Sequence, residues 1–183
     1  AWHDDATARR VVTWVRYLDL AKGVLPDRDL TFVLENIIEH ADLLATDEFH
    51  TTNTNHGMFQ DESLLVISEY LPMLDKSSKY ADISKKRLKD YFEFVVTDDG
   101  VHKEHSPSYH QIIASNLGQY TEYFRKKNDL GTYKEFLSIY NRMAVYFIHV
   151  IKPDGTLPLV GDTFPNHKPT GLVWTDNKYY QYA

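Results

Sequence analysis

The polar run from Asn53 to Gly57 holds two neighbouring side chains that suit an anionic ligand. Asn55 offers an amide donor and His56 an imidazole donor, and such a pair can bind a carboxylate or stabilise a developing oxyanion. Gly57 permits an unusual backbone angle or the close approach of a ligand. We predict that the run is not helical and that a helix begins just after it, at about Met58. The simpler alternative, an Asn cap followed by a Gly turn, explains the same residues.

The segment from His102 to His110 concentrates ionisable side chains around one tyrosine. It contains three histidines, Glu104 and Tyr109. Either neighbouring serine of the Ser-Pro-Ser stretch can cap a helix, so Tyr109 is expected in a first helical turn, where the positive helix end favours negative charge. A tyrosine placed there can take part in proton transfer. A hydrated surface loop with a buried tyrosine is the alternative.

The same segment also permits a metal site. The potential ligands are His102, Glu104, His105 and His110. Their spacing matches no standard zinc pattern, and the chain has no cysteine. We therefore predict neither a metal nor any other cofactor.

Two further clusters flank these segments. Near the start, Asp4 or Asp5 is expected to be an N-cap, and His3, Arg9 and Arg10 are candidates to line a cleft for an anionic sugar, although arginines facing solvent explain the pattern as well. Near the end, turns at 153–155 and 161–162 surround a short apolar run, and Asp162 can orient a histidine or arginine. A structural role is the favoured interpretation of this second cluster. A glycosidase carboxylate pair stays open, because the chain has 26 acidic residues.

These residues lie among six stretches with helical apolar spacing. The expected helices cover about 5–22, 29–45, 58–71, 80–96, 109–127 and 130–151. Helices of this length joined by short links favour antiparallel hairpins, so we predict an all-α region over 1–152, with an irregular six-helix domain as the alternative to an α/α array. The segment 153–183 holds four of the seven prolines and three of the eight glycines. We expect loops there, and the start of a strand near 179–182.

The composition narrows the possible classes of protein. A hydrophobic content of 43% and a charged content of 25% indicate a globular chain. The net charge of −6 argues against a nucleic-acid partner, and it also fits poorly with an anionic polysaccharide unless local basic residues offset it. No apolar run approaches the ~20 residues of a membrane helix. Without cysteine there are no disulfides. Since Ala1 is not a start methionine, we expect a piece of a longer protein, and the sequence indicates no oligomeric state.

Taken in order, these segments resemble the heparinase II/III-like polysaccharide lyases and the related alginate lyases. The resemblance rests on His3-Asp4-Asp5 with Arg9-Arg10, Asn55-His56-Gly57, the segment 104–110, and the turns at 153–155 and 161–162. It spans almost the whole chain. It implies that 1–152 is part of an incomplete α/α toroid. The segment 153–183 would then complete the toroid or lead to a β-sandwich domain outside this chain.

The resemblance also implies a reaction, β-elimination on uronate-containing polysaccharides without a cofactor. Asn55 and His56 would neutralise the uronate carboxylate, which makes the enolate-like intermediate accessible. Tyr109 would protonate the leaving oxygen and, in some members, also abstract the C5 proton. The resemblance further implies an acidic polysaccharide as partner and a periplasmic or secreted location. The residues expected to assist in substrate binding are His3, Arg9, Arg10, Glu104, His105 and His110.

Two other functions remain open on the sequence alone. One is a non-catalytic sugar-binding or scaffold domain that keeps the toroid. The other is a hydrolase that uses a carboxylate pair or a metal on the histidine-rich segment. Elimination leaves a new double bond in the product and hydrolysis does not, so the products distinguish them.

Overall fold

The computed structural model describes residues 2–21 and 23–169, which form six helices. None of these helices is long and apolar enough to cross a membrane. The only β-pairing within the described residues is an isolated antiparallel bridge between Val96 and His102. The predicted all-α class is therefore confirmed. The helices are α1 Asp4–Ala21, α2 Asp27–Leu44, α3 Asn55–Tyr70, α4 Ser77–Val95, α5 Pro107–Lys126 and α6 Leu130–Val150.

The start of α3 differs from the prediction, because Asn55, His56 and Gly57 form its first turn. Thr54 is the N-cap, and its hydroxyl accepts from the Gly57 N–H at 3.1 Å. This bond satisfies one of the donors that a helix start leaves unpaired. The expected role of Gly57 is also wrong in part: a Cβ there would collide with the backbone of Thr51. The close neighbour that requires a glycine is the chain itself.

The start of α1 also corrects an expectation. The helix begins at Asp4, so Asp4 and Asp5 lie in its first turn and neither is the N-cap. The His3 carbonyl accepts from the Thr7 N–H at 2.8 Å. Acidic residues in a first turn are favourable there because the helix dipole is positive at that end.

The chain divides into two compact units, residues 1–91 and 92–183, which we describe separately. In the first unit α1 and α3 run parallel, since Asp4 meets His56 and the Ala8 carbonyl accepts from Ser63. The helix between them, α2, runs the opposite way. The apolar faces of these three helices share one core with Tyr80 of α4, and its members include Val11, Val15, Leu18, Ile37, Ala41, Leu44, Leu64 and Ile67.

In the second unit α5 and α6 form an antiparallel hairpin. His110 near the start of α5 contacts Met143 in the second half of α6, and Phe124 near the end of α5 packs on Phe136 near the start of α6. The turn at Gly100 lies against the backbone of α6, where a Cβ would collide with Arg142. Gly100 has φ +87°, so both the backbone angle and the space require glycine.

The segment 151–169 contains no helix or strand and packs on the start of α5. The Ser108 hydroxyl accepts from the Phe164 N–H at 3.2 Å, and the His167 ring contacts the Gln111 amide oxygen at 2.8 Å. The predicted turn at 153–155 is present: the Asp154 carboxylate accepts from the Thr156 N–H at 2.9 Å. The strand expected at 179–182 lies outside the described residues, and the domain boundary near residue 152 stays a prediction.

Candidate active site

Asn55 and His56 stand in the first turn of α3 with donors that are free for a ligand. Both residues are half-buried. The His56 ring is tethered on one side only, where Nδ1 lies 2.9 Å from Asp4 Oδ2. Among residues 2–21 and 23–169, neither His56 Nε2 nor the Asn55 side chain has a hydrogen-bond partner. His56 is therefore anchored by Asp4, and both side chains are open to an anionic group.

His3 and Arg9 lie at the same end of α1 as this pair. The Nδ1 atom of His3 is 2.8 Å from Asp4 Oδ1, so one carboxylate holds the rings of both His3 and His56. Arg9 pairs with Asp5 at 2.8 Å and lies 4.6 Å above the ring of Phe59 in α3. The structure thus brings His3 to His56 and places Arg9 between α1 and α3, while their contact with a substrate stays a prediction.

Arg10 points instead to a buried histidine that the sequence analysis did not assign to a site. Its Nη1 lies 3.3 Å from His40 Nε2. The His40 ring also bonds the Asn36 carbonyl through Nδ1 at 2.8 Å and packs between Trp2 and Trp14. Burial lowers the pKa of His40. A neutral ring then donates from Nδ1 and accepts from Arg10, which gives Arg10 a structural partner.

A polar cleft of about 210 Å³ lies beside the turn that precedes α3. Its floor is a buried ionic network that sequence reasoning missed, formed by His50, Asp61 and Arg87. Asp61 is 1% exposed; its Oδ2 lies 3.1 Å from His50 Nε2 and its Oδ1 lies 3.7 Å from Arg87 Nη1. Burial raises the pKa of Asp61, while His50 and Arg87 oppose that shift.

This network holds the connection between α2 and α3. The Arg87 guanidinium donates to the carbonyls of Leu44, Ala45 and Thr46 at 2.9, 3.3 and 3.0 Å, which satisfies the end of α2. Next to Asp61, the Gln60 amide bonds the backbone of Phe49 and Thr51 at 3.1 and 3.0 Å. Arg87 therefore holds the start of the loop that leads to Asn55, and Gln60 holds its middle.

In the second unit Tyr109 occupies the first turn of α5, as predicted. Ser106 is the N-cap, and its hydroxyl accepts from the Tyr109 N–H at 3.5 Å. The side chain of Tyr109 is half-buried. Its hydroxyl has no hydrogen-bond partner within the described part of the chain, so it is available for proton transfer.

The other candidates of this segment differ in exposure. Glu104 and His105 are exposed, and His105 has φ +55°, a left-handed conformation that turns the chain into the cap of α5. His110 is buried. Its Nδ1 accepts from the His102 N–H at 3.4 Å, so its Nε2 donates to the Met143 carbonyl at 3.0 Å. The ring also stacks on Phe147 at 5.4 Å. His110 thus supports the start of α5, and its expected contact with substrate stays a prediction.

The structure does not support two of the alternative roles. Within the described ranges, no group of three or more His, Cys, Asp or Glu side chains is arranged to hold a metal ion. Asp162 is exposed and its side chain bonds no histidine or arginine in those ranges, so the suggestion that it orients one is wrong. The turn that contains Gly161 packs instead near the cap residue Ser106.

The buried rings of His102 and His110 predict that the chain loses stability in mild acid. Burial lowers the pKa of both to about 4, whereas an imidazole in the unfolded chain titrates near ~6.5. The unfolded state therefore takes up protons first as the pH falls. The stability from the two neutral rings is complete above about pH 6.5 and is lost progressively down to about pH 4, by roughly 2 kcal/mol for each ring at about pH 5.

Urea unfolding at about pH 7.5 and pH 5 measures this loss. In His110→Asn the difference between the two midpoints should shrink, whereas in the control His149→Asn, which changes an exposed imidazole, it should stay as in the parent chain. An unchanged difference in His110→Asn would contradict the assignment of a neutral buried ring.

Comparison with known proteins places the fold. A heparinase III crystal structure matches with a TM-score of 0.73 and 18% sequence identity, over 99% of this chain and 28% of that one. The heparan sulfate lyase HepC from Pedobacter heparinus matches with a TM-score of 0.70 and 21% identity, over 89% of this chain and 26% of that one. A HepC mutant gives a TM-score of 0.72. No curated protein sequence matches significantly.

At these identities the structural likeness shows the fold, and it confirms the predicted class, a portion of an α/α toroid. The chain spans about a quarter of the length of the solved proteins it matches. The model of a protein family described as the heparinase II/III N-terminus matches residues 1–182. The chain therefore belongs to the heparinase II/III N-terminal family.

Proposed function

We propose that the protein that carries this chain is a lyase that cleaves uronate-containing polysaccharide by β-elimination. The observation that supports this most is the pair at the start of α3. Asn55 and His56 present free donors beside the positive end of a helix, in a chain of the heparinase II/III N-terminal family. Such donors bind a carboxylate and stabilise the charge that develops when the neighbouring C5 proton leaves.

The roles of the side chains follow from their chemistry. In the proposal Asn55 and His56 neutralise the uronate carboxylate, and Tyr109 protonates the leaving glycosidic oxygen or takes the C5 proton. His3 offers an imidazole donor and Arg9 a guanidinium near the pair for further anionic groups of the polymer. The solved relatives named heparinase III and heparan sulfate lyase favour a glycosaminoglycan as substrate. A polymeric substrate also favours a periplasmic or secreted location.

The decisive assay follows the absorbance of the new 4,5-double bond. The complete protein that carries this chain is incubated with heparan sulfate, chondroitin, hyaluronan and alginate. Rising absorbance with one polymer supports elimination and identifies the uronate. Release of reducing ends without absorbance would overturn the proposal in favour of a hydrolase. Polymer binding without either product would indicate the non-catalytic domain.

Asn55→Ala should lower turnover by about 10²–10³-fold, the usual cost of one donor to a developing oxyanion. Asn55→Asp keeps the shape but places a negative charge against the uronate, so it should lower turnover at least as much. Both rates are measured by the absorbance assay on the polymer that is cleaved. If Asn55→Asp retained the parent rate, Asn55 would not contact the carboxylate.

A further inference from the structure

The carboxylate of Asp4 joins the start of α1 to the start of α3, which carries Asn55 and His56. Its Oδ2 lies 2.9 Å from His56 Nδ1 at the start of α3, and its Oδ1 lies 2.8 Å from His3 Nδ1. Oδ1 also accepts from the Asp5 N–H at 2.8 Å, which fixes the carboxylate in the first turn of α1. The acid is therefore held by its own helix while it bonds two imidazoles.

The direction of these bonds determines the state of the His56 ring. The bond to His56 is the main cause that lowers the pKa of Asp4, so Asp4 is ionised at neutral pH. A carboxylate only accepts hydrogen bonds. The His56 Nδ1 atom must then carry a proton and donate. The Asp4 bond occupies Nδ1, and Nε2, the other ring nitrogen, has no hydrogen-bond partner among the described residues.

We propose that Asp4 is a positioning residue that orients His56 for the substrate carboxylate. This inference rests on the proposed function, since it assigns how His56 acts in that site. A ring that donates to Asp4 through Nδ1 and to a uronate through Nε2 carries both protons. His56 therefore acts as an imidazolium in the complex, flanked by two carboxylates, and Asp4 stabilises its full positive charge. His3 shares the same carboxylate, through its own Nδ1 atom.

The alternative is that Asp4 only interacts with the helix dipole of α1. Asp5 offers a matched control, because it lies in the same first turn and carries the same charge, but it pairs with Arg9. A dipole effect predicts similar results for the two acids. A positioning role predicts that only Asp4 changes the state of His56.

Imidazole ¹⁵N chemical shifts of this chain test the proposal without any enzyme assay. At about pH 9 imidazoles are neutral, and the His56 signals are identified by their loss in His56→Gln. We expect the Nδ1–H tautomer in the parent chain and in Asp5→Asn, and the Nε2–H tautomer that free imidazole prefers in Asp4→Ala. A His56 tautomer unchanged in Asp4→Ala overturns the inference.

Turnover of the complete protein adds a second test. Asp4→Ala should lower kcat by roughly 10–10²-fold, with little change in KM. This loss is smaller than the loss on removing a charge-stabilising donor itself, because the His56 ring is still present. Combined with His56→Gln, Asp4→Ala should have no further effect, because it acts through that ring. Additive losses in the double variant would overturn the proposal. If the complete protein proved inactive on every polymer, the proposed function would fail while the tautomer result still decided the role of Asp4.

Discussion

Replacing Tyr109 by Phe should lower the turnover of the complete protein by about 10³–10⁴-fold, the upper part of the range for proton transfer by a positioned side chain. The substitution removes one hydroxyl from a half-buried ring in the first turn of α5. That hydroxyl has no hydrogen-bond partner among the described residues, so its loss leaves no buried group unpaired. We therefore expect an unfolding midpoint close to that of the parent protein. The double-bond absorbance gives the rate, and urea unfolding gives the stability.

Tyr133 provides a matched control for this variant. It is also a half-buried tyrosine near the start of a helix, α6, but it lies outside the candidate site. Tyr133→Phe should keep turnover within about twofold, since surface substitutions away from special features have small effects. Normal turnover in Tyr109→Phe would remove Tyr109 from the mechanism, and an equal loss in both variants would indicate a general effect of the missing hydroxyl.

Replacing Asp61 by Ala should destabilise the first unit by about 3 kcal/mol, the low end of the cost of breaking a buried ion pair. The change leaves Arg87 and His50 buried without the carboxylate that both face. The cost stays at the low end because Arg87 keeps its pair with Asp47 at 2.7 Å and its carbonyl partners. With a urea dependence of about 2 kcal/mol/M, the midpoint should fall by roughly 1.5 M.

An exposed ion pair serves as the control for Asp61. Asp90 pairs with Lys86 at 2.6 Å, and both side chains are largely exposed. Asp90→Ala should cost at most about 0.5 kcal/mol, as is usual for a surface pair on a helix. Similar midpoints for the two variants would show that the network around Asp61 contributes no more than a surface contact.

The helices of this protein could be predicted because their signals are local. Helix α6 was expected over 130–151 and spans Leu130–Val150, so its bounds agree to within one residue. The helical spacing of apolar residues depends only on nearby positions in the chain. The same holds for turn residues such as Asp98-Asp99-Gly100. The start of α3 was missed for a local reason. Asn, His and Gly are poor residues inside a helix but are tolerated in a first turn that Thr54 caps.

The candidate residues were also visible in the sequence, but their partners were not. Asn55, His56 and Tyr109 could be named from their types and their neighbours. Either Asp4 or Asp5 was expected to be a helix cap, and nothing near Asp4 along the chain points to His56, which lies 52 positions away. His50 and Asp61 are 11 positions apart and meet because the loop before α3 folds back on that helix.

The sequence by itself determined the all-α class, the approximate helices and the residue types available for chemistry. These follow from periodicity and from the functional groups of the side chains, which do not depend on distant parts of the chain. Only the tertiary structure decided that Asp4 binds two imidazoles, that His110 is buried, and that Asp61 is paired. The physical reason is that desolvation and ion pairing depend on which surfaces pack together, and packing joins residues that are far apart in the sequence.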